Sequence, residues 1–138
     1  MNKWIYDENG NLERDGFWEW HFSNGKLWQH GNFKDGKLDG LWEYYYYGDG
    51  KLRAIHNYKD GMLNGICESY HDNGQVSARE NFKDGILDGL WERYYDNGQL
   101  KAKGNWKDEE RIGLWEWYSE NGQLDKKVNY ICTSYTIF

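Results

Sequence analysis

DGILDGLWERYYDNGQLKAKGNWK, residues 84–107, holds one complete β-hairpin and the turn that delivers the chain into it. Leu90 to Tyr95 is rich in large rings. Asn97-Gly98 is a turn pair, and the return run opens at Leu100 and ends at Asn105-Trp106. Asn-Gly between β-rich runs is the strongest short hairpin signal, because both residues tolerate positive φ. Laid over the rest of the chain, this stretch recurs. The opening glycine stands at Gly16, Gly40, Gly65, Gly89 and Gly113, at spacings of 24, 25, 24 and 24 residues. A fixed period of this length predicts a repeat array, in which each unit buries its apolar face only against its neighbours.

Each unit opens with an apolar residue and then Trp-Glu: Phe17-Trp18-Glu19, Leu41-Trp42-Glu43, Leu90-Trp91-Glu92 and Leu114-Trp115-Glu116, with Ile66-Cys67-Glu68 in the third. The hairpin turns are Asn24-Gly25, Asp49-Gly50 after a one-residue insertion near Gly48, Asn73-Gly74, Asn97-Gly98 and Asn121-Gly122. Return strands begin at Leu27, Leu52, Val76, Leu100 and Leu124 and end in Asn followed by an aromatic residue. A second turn, at Asp35-Gly36, Asp60-Gly61 and Asp84-Gly85, leads to the next unit. In the fourth unit it reads Asp108-Glu109, which predicts a looser link there. Residues 3–14 read as an N-terminal cap hairpin, 16–130 as the five repeats, and 131–138 (ICTSYTIF) as a last strand closing an otherwise exposed edge. The chain, 1–138, is expected to form one domain.

Alternation selects a core face. In the return strand Leu100, Ala102 and Trp106 share one parity, and Gln99, Lys101, Lys103 and Asn105 the other. The first set reads as core. In the outgoing strand the Leu90/Tyr94 parity varies least between units, so it is expected inside. A three-residue Asp-Asn-Gly loop then sets Glu92 opposite Ala102 and Tyr94 opposite Leu100. The Trp91 row falls on the second face, as an aromatic stripe.

Composition fits an array of rings. Nineteen per cent of the 138 residues are aromatic, and 17 glycines with no proline suit many tight turns at positive φ. The formal charge of −6 argues against a nucleic-acid partner and against simple adhesion to anionic lipid. Cys67 fills a Trp slot and reads as a small buried apolar residue; with Cys132 it makes no disulfide framework. No run of apolar residues is long enough for a transmembrane helix. MNKWIYDENG lacks the apolar core of a signal peptide, so the expected location is cytoplasmic.

The repeat Gly-x-Trp-x-x-Tyr-x-x-Asn-Gly-x-Leu, then an aromatic, then Asp-Gly, resembles the MORN-type repeats, in particular the MORN-2 variant, over roughly residues 3–130. The resemblance implies an all-β fold: one elongated, twisted antiparallel sheet of successive hairpins. It also implies a binding role. Many bacterial proteins built only of such repeats are labelled antitoxins, and eukaryotic relatives use them as scaffolding, dimerisation or lipid-associated modules beside a catalytic domain. Cys67, the insertion near Gly48 and the glycine lost after Asp108 depart from the pattern.

Candidate chemistry is sparse. Glu19, Glu43, Glu68, Glu92 and Glu116 would line up as a carboxylate ladder, able in principle to act as acid/base pairs. A catalytic residue is needed once, not once per repeat, so hydrogen-bonded structural carboxylates are the stronger reading. The Trp row resembles a platform for sugar rings or choline-like cations, but packing of the array is the stronger reading there too. Bacterial choline-binding repeats share the spacing, yet their tail of Met, Thr and Gly after the turn is absent. His21, His30, His56 and His71 occupy different repeat positions, and the Cys67/His71 spacing is no zinc signature. No phosphate loop or nucleophile elbow occurs. The expectation is a non-enzymatic protein-binding scaffold without cofactor or metal. Its partner is a protein, a toxin being one candidate, and homo-oligomers are compatible with the array. The alternative is a cell-envelope module binding carbohydrate or lipid head groups. Candidate partner-binding residues are Trp20, Trp28, Tyr47 and Trp117, because Trp and Tyr dominate binding hot spots.

Overall fold

The computed structural model describes residues 2–131. It contains twelve strands and, among the described residues, no helix: β1 (Lys3–Tyr6), β2 (Leu12–His21), β3 (Leu27–Lys34), β4 (Lys37–Tyr45), β5 (Leu52–Lys59), β6 (Met62–Leu63), β7 (Gly65–Tyr70), β8 (Val76–Lys83), β9 (Ile86–Tyr94), β10 (Leu100–Lys107), β11 (Glu110–Tyr118) and β12 (Leu124–Tyr130). They form a single antiparallel meander in sequence order, with β6 beside β5 on the way into β7. β1 pairs with the first residues of β2, Tyr6 against Leu12 and Lys3 against Asp15. The strand expected over 131–138 falls outside the described residues, apart from Ile131, which belongs to no strand.

Two turn types alternate along the chain. At the hairpin tips the three-residue loops hold only the glycine at positive φ, as at Gly25 (82°), Gly74 (88°) and Gly98 (86°). The preceding Asn side chain accepts the amide two residues on, for example Lys26 N–H to Asn24 Oδ1 at 3.0 Å. This is a turn closed by a left-handed glycine, not a two-residue Asn-Gly turn. The links between units are the two-residue type, with both residues left-handed: Asp35 (48°) and Gly36 (76°), Asp84 (49°) and Gly85 (83°). The fourth link keeps that geometry, with Asp108 at 49° and Glu109 at 63°, and Lys107 still pairs Glu110. The looser link expected there is therefore absent. The register demanded by the flanking strands holds a non-glycine residue in the left-handed region.

The chosen core face of the outgoing strands needs correction. The buried apolar side chains are those of Trp42, Ala54, Cys67, Ala78, Ala102 and Trp115, whereas Leu41, Ile66, Leu90 and Leu114 are exposed. The cause is a bulge repeated in every hairpin. Leu100 does face Tyr94, but the register then shifts, so that Ala102 faces Arg93 and Lys103 faces Glu92. The same shift leaves Trp28, Arg53, Ser77 and Asp125 as the extra residue in their hairpins. One inserted residue moves every following side chain to the other face. The Trp row and the Ala102 row thus share one face, and the Leu90 row, with Leu100, shares the other.

The Trp face is therefore the core. Its rings form a near-continuous stack: Trp4 to Trp18 at 5.1 Å, Trp18 to Trp20 at 6.4 Å, Trp20 to Trp42 at 5.8 Å, and, further on, Trp91 to Trp115 at 5.2 Å and Trp115 to Trp117 at 6.0 Å. Trp42 and Trp115 lie flat over Gly31 and Gly104. A Cβ at Gly31 would stand 2.3 Å from the Trp42 ring, and one at Gly104 2.0 Å from that of Trp115. Their indole N–H groups donate to the carbonyls of Asn32 (3.0 Å) and Asn105 (3.2 Å). At each end of the stack an arginine lies among four rings: Arg14 near Trp4, Trp18, Trp20 and Phe33, and Arg111 near Trp106, Trp115, Trp117 and Tyr130. In the three central units Leu38, Leu63 and Leu87 hold that place, against Phe33, Tyr58 and Phe82. A guanidinium stacks on rings while staying hydrated at its edge, so it suits the ends of an array, where no further unit covers the rings.

Candidate functional site

Each glutamate of the ladder accepts a hydrogen bond from the residue two positions on in its own strand, wherever that residue is tyrosine: Tyr45 to Glu43 (2.5 Å), Tyr70 to Glu68 (3.1 Å), Tyr94 to Glu92 (2.5 Å) and Tyr118 to Glu116 (2.7 Å). The donor stands in the glutamate's own strand. Nitrogen groups complete the ladder: His30 Nε2 lies 2.9 Å from Glu43, Arg79 Nε 3.7 Å from Glu68, and Lys103 Nζ 3.2 Å from Glu116. The Tyr118 hydroxyl, with Lys103 behind it, holds the Glu116 carboxyl below the usual carboxylate range. Partial burial, then the Glu43 bond, pushes Tyr45 up to about 12. For Glu116 the downward direction is opposite to the raised pKa a general acid requires. Among the described residues no three His, Cys, Asp or Glu side chains are grouped to hold a metal ion.

The four candidate binding rings separate into two sets. Trp28 and Tyr47 come together through Phe22, at 5.9 Å and 5.1 Å, on the tips of the first two hairpins. Trp28 is 41% exposed and Tyr47 65%. The local sequence explains the cluster. Residues equivalent to Phe22 in the next three units, Tyr46, His71 and Tyr95, donate to the backbone carbonyls of Tyr70, Tyr94 and Tyr118 in the following unit. Phe22 has no such donor. The insertion at Gly48 brings the Tyr47 ring edge-on against it instead. Trp20 and Trp117 belong elsewhere, in the core stack near its opposite ends.

A second feature was not legible in the candidate list. Across the centre of the Trp face the regular alternation inverts. Gly31 under Trp42 and Gly104 under Trp115 are replaced by His56 beside Cys67 and by Glu80, which directly faces Trp91. In the adjacent row, Ala54, Ser69 and Ala78 are three small residues in succession between Tyr44 and Arg93. A cavity of about 590 Å³ opens there, over Ser69, Ala78, Glu80, Trp91 and Arg93. Glu80 occupies the space a flat ring would need, so Trp91 leans onto Trp115 and stays only half-buried. Arg93 covers its other face at 4.4 Å and pairs with Glu80 at 2.5 Å. Nearby, burial and the Arg53 charge push the His56 pKa down, and burial pushes the Cys67 thiol up. A departure from Trp at 67 was visible in the sequence. Its companions at 56, 69 and 80 become visible only once the rows are aligned across the bulges.

An open meander of hairpins, one per two dozen residues and stitched by a tryptophan row, defines a repeat protein whose faces are available as binding surfaces. The signature described as the MORN repeat variant matches residues 14–35, 38–60, 63–84, 87–108 and 111–131, so the chain belongs to the MORN repeat variant family. No curated protein matches the chain. Among the described residues no helix is long and apolar enough to cross a membrane.

Proposed function

We propose that this chain is a non-enzymatic scaffold of the cytoplasm that neutralises a protein partner by steric masking, in the manner of an antitoxin or immunity protein. The observation that carries the reading is the Phe22–Trp28–Tyr47 cluster. Three rings joined through Phe22, two of them substantially exposed, sit at hairpin tips and do not complete the core. Clustered Trp and Tyr on a preorganised surface is the composition of an interface hot spot. The tyrosine-satisfied glutamates support the absence of catalysis. The net charge of −6 supports a basic partner, since it would accelerate encounter.

The experiment is co-expression with each small basic protein that a neighbouring gene is found to encode and that arrests growth when expressed alone. The wild-type chain restores growth against its own partner. Trp28→Ala with Tyr47→Ala weakens that complex about thirtyfold, the equivalent of losing about 2 kcal/mol, while leaving the fold intact. Undiminished rescue and affinity in the double variant would refute the assignment of this face.

A second reading rests on the opposite face. Leu41, Ile66, Leu90 and Leu114 repeat once per unit and are 43–60% exposed, a spacing of about 10 Å on alternate strands. Such a row would suit a lipid surface. Flotation of the chain with vesicles of neutral and of anionic lipid tests it, and loss of flotation in Leu41→Ser/Leu114→Ser is the expected control.

A further inference from the structure

The central cavity admits a more specific assignment, independent of the Phe22 cluster and lying in the other half of the array. The repeat supplies its own control. In the first unit Trp20, at the second ring position of the outgoing strand, stacks on Trp42 of the next unit at 5.8 Å, and Trp42 is 1% exposed. The equivalent residue in the third unit is Ser69, and its target in the next unit is Trp91. With no ring at 69, Trp91 remains half-buried and forms a wall of the cavity. The place that Trp20 takes against Trp42 is held over Trp91 by the Arg93 guanidinium, and the space beyond it, which a ring at 69 would fill, is open. Its floor is Ala78, and Ser77 lines its edge.

The charge around this space is also distinct. The chain as a whole carries −6, yet the cavity is lined by Arg93 and Lys101 with Glu80 as its one carboxylate. Glu80 is already engaged by Arg93. Lys101 lies over the Tyr95 ring at 5.3 Å and, among the described residues, pairs with no carboxylate. The cavity thus combines a guanidinium already stacked on a ring with a net positive rim, and its volume falls within the range of small-ligand sites.

We propose that this cavity binds a planar aromatic ring carrying a carboxylate. The ring stacks on the Arg93 guanidinium that covers Trp91, above Ala78, and the carboxylate meets the Lys101 ammonium at the rim. That chemistry has two sources, a free aromatic acid or the C-terminal aromatic residue of a peptide.

The test uses the full chain and the indole N–H resonance of Trp91 in an ¹H–¹⁵N spectrum, assigned by Trp91→Phe. N-acetyltryptophan, as the free acid, shifts that resonance saturably at millimolar concentration. N-acetyltryptophanamide binds about tenfold more weakly, as expected for loss of one charge-assisted contact. A glycine–serine peptide ending in Trp with a free carboxylate, compared with the same peptide amidated, separates the sources. Binding of the peptide acid as tightly as the free acid assigns the site to a chain terminus, and binding of the free acid alone assigns it to a small molecule. Ser69→Trp fills the space from within, abolishes the shift and raises the unfolding midpoint. Lys101→Gln, at an exposed position safe for the fold, keeps ring binding but removes the preference for acid over amide. Absence of a saturable Trp91 shift with any probe, or equal binding of acid and amide by the wild-type chain, would overturn the proposal.

Discussion

Gly104→Ala should be among the most damaging single-methyl additions possible in this chain. A Cβ at that position falls 2.0 Å from Cδ2 and 2.1 Å from Cε2 of Trp115, far inside contact distance. The ring cannot yield locally. It is fully buried, tied to the Asn105 carbonyl at 3.2 Å, and packed against Trp91, Trp106, Trp117 and Tyr130 at 5.2–6.2 Å. Forcing it out costs an overpacking term of about 1–3 kcal/mol. Loss of the indole hydrogen bond adds about 1 kcal/mol. Gly104 is not among the residues at positive φ, so no backbone strain enters, and alanine's better strand propensity returns a few tenths. The expected cost is about 2–4 kcal/mol, read as a lowered midpoint in urea at unchanged slope. The decisive control is the same substitution in a Trp115→Leu background, where the clash has no ring to meet. There the cost should fall below about 1 kcal/mol, a coupling that double-mutant analysis resolves. Equal costs in both backgrounds would refute the claim that glycine is required because tryptophan lies on it.

Other consequences follow from the same geometry. Glu109→Gly should stabilise the chain by about 0.5–1 kcal/mol in thermal unfolding: relief of a left-handed side chain at φ 63° exceeds the backbone entropy that glycine costs. Cys67→Trp should destabilise alone, since His56 occupies the neighbouring space, but be tolerated with His56→Gly, which recreates the Gly31/Trp42 pair; purely additive costs in chemical denaturation would contradict this. Glu116 has its folded pKa depressed by Tyr118 and Lys103. Its contribution is therefore fully present above the ordinary carboxyl value and is lost as pH falls through the lower folded value. Glu116→Gln should flatten that part of the acid limb of the stability–pH curve, and an unchanged limb would show that the bonds are not maintained in solution.

Period, turn positions and fold class were readable from the sequence because each is locally encoded. Asn97-Gly98 marks a tip and Asp84-Gly85 a link whatever lies around them. Which face is the core was not readable from parity. Parity counting assumes an unbroken strand, and the extra residue at Trp28, Arg53, Ser77, Lys101 and Asp125 breaks it in every unit. Low variation at Leu90, Leu41 and Leu114 reflected a common surface position rather than burial. A better signal lay in Gly31 and Gly104, since glycine inside a strand marks the close approach of something large, and the large residue opposite is tryptophan. Of the candidate binding rings, Trp28 and Tyr47 were legible as rings outside the repeat pattern. Their meeting through Phe22 depended on the absence of a hydroxyl that Tyr46 and Tyr95 have, a difference with no local sequence signature.

The centre of the array is where local rules and the array's own logic diverge. If packing were the only demand, each outgoing strand would carry a tryptophan over a glycine in the return strand of the unit before it, as Trp42 lies over Gly31 and Trp115 over Gly104. Instead the order is reversed: large polar groups, His56 and Glu80, stand where glycine belongs, and Cys67 and Ser69 stand where rings belong. The turns on either side are unchanged, Gly61 at 81°, Gly74 at 88° and Gly85 at 83°, so the unit has not decayed. It has been kept in register while its core face was altered. Filling that gap with rings would bury more apolar area, about 25 cal/mol for each Å², and would extend the stack from Trp42 to Trp91 without a break. A substitution set that forgoes that stabilisation, yet leaves the Glu80–Arg93 pair formed and the cavity beside it open, is what selection for a surface rather than for rigidity would leave behind.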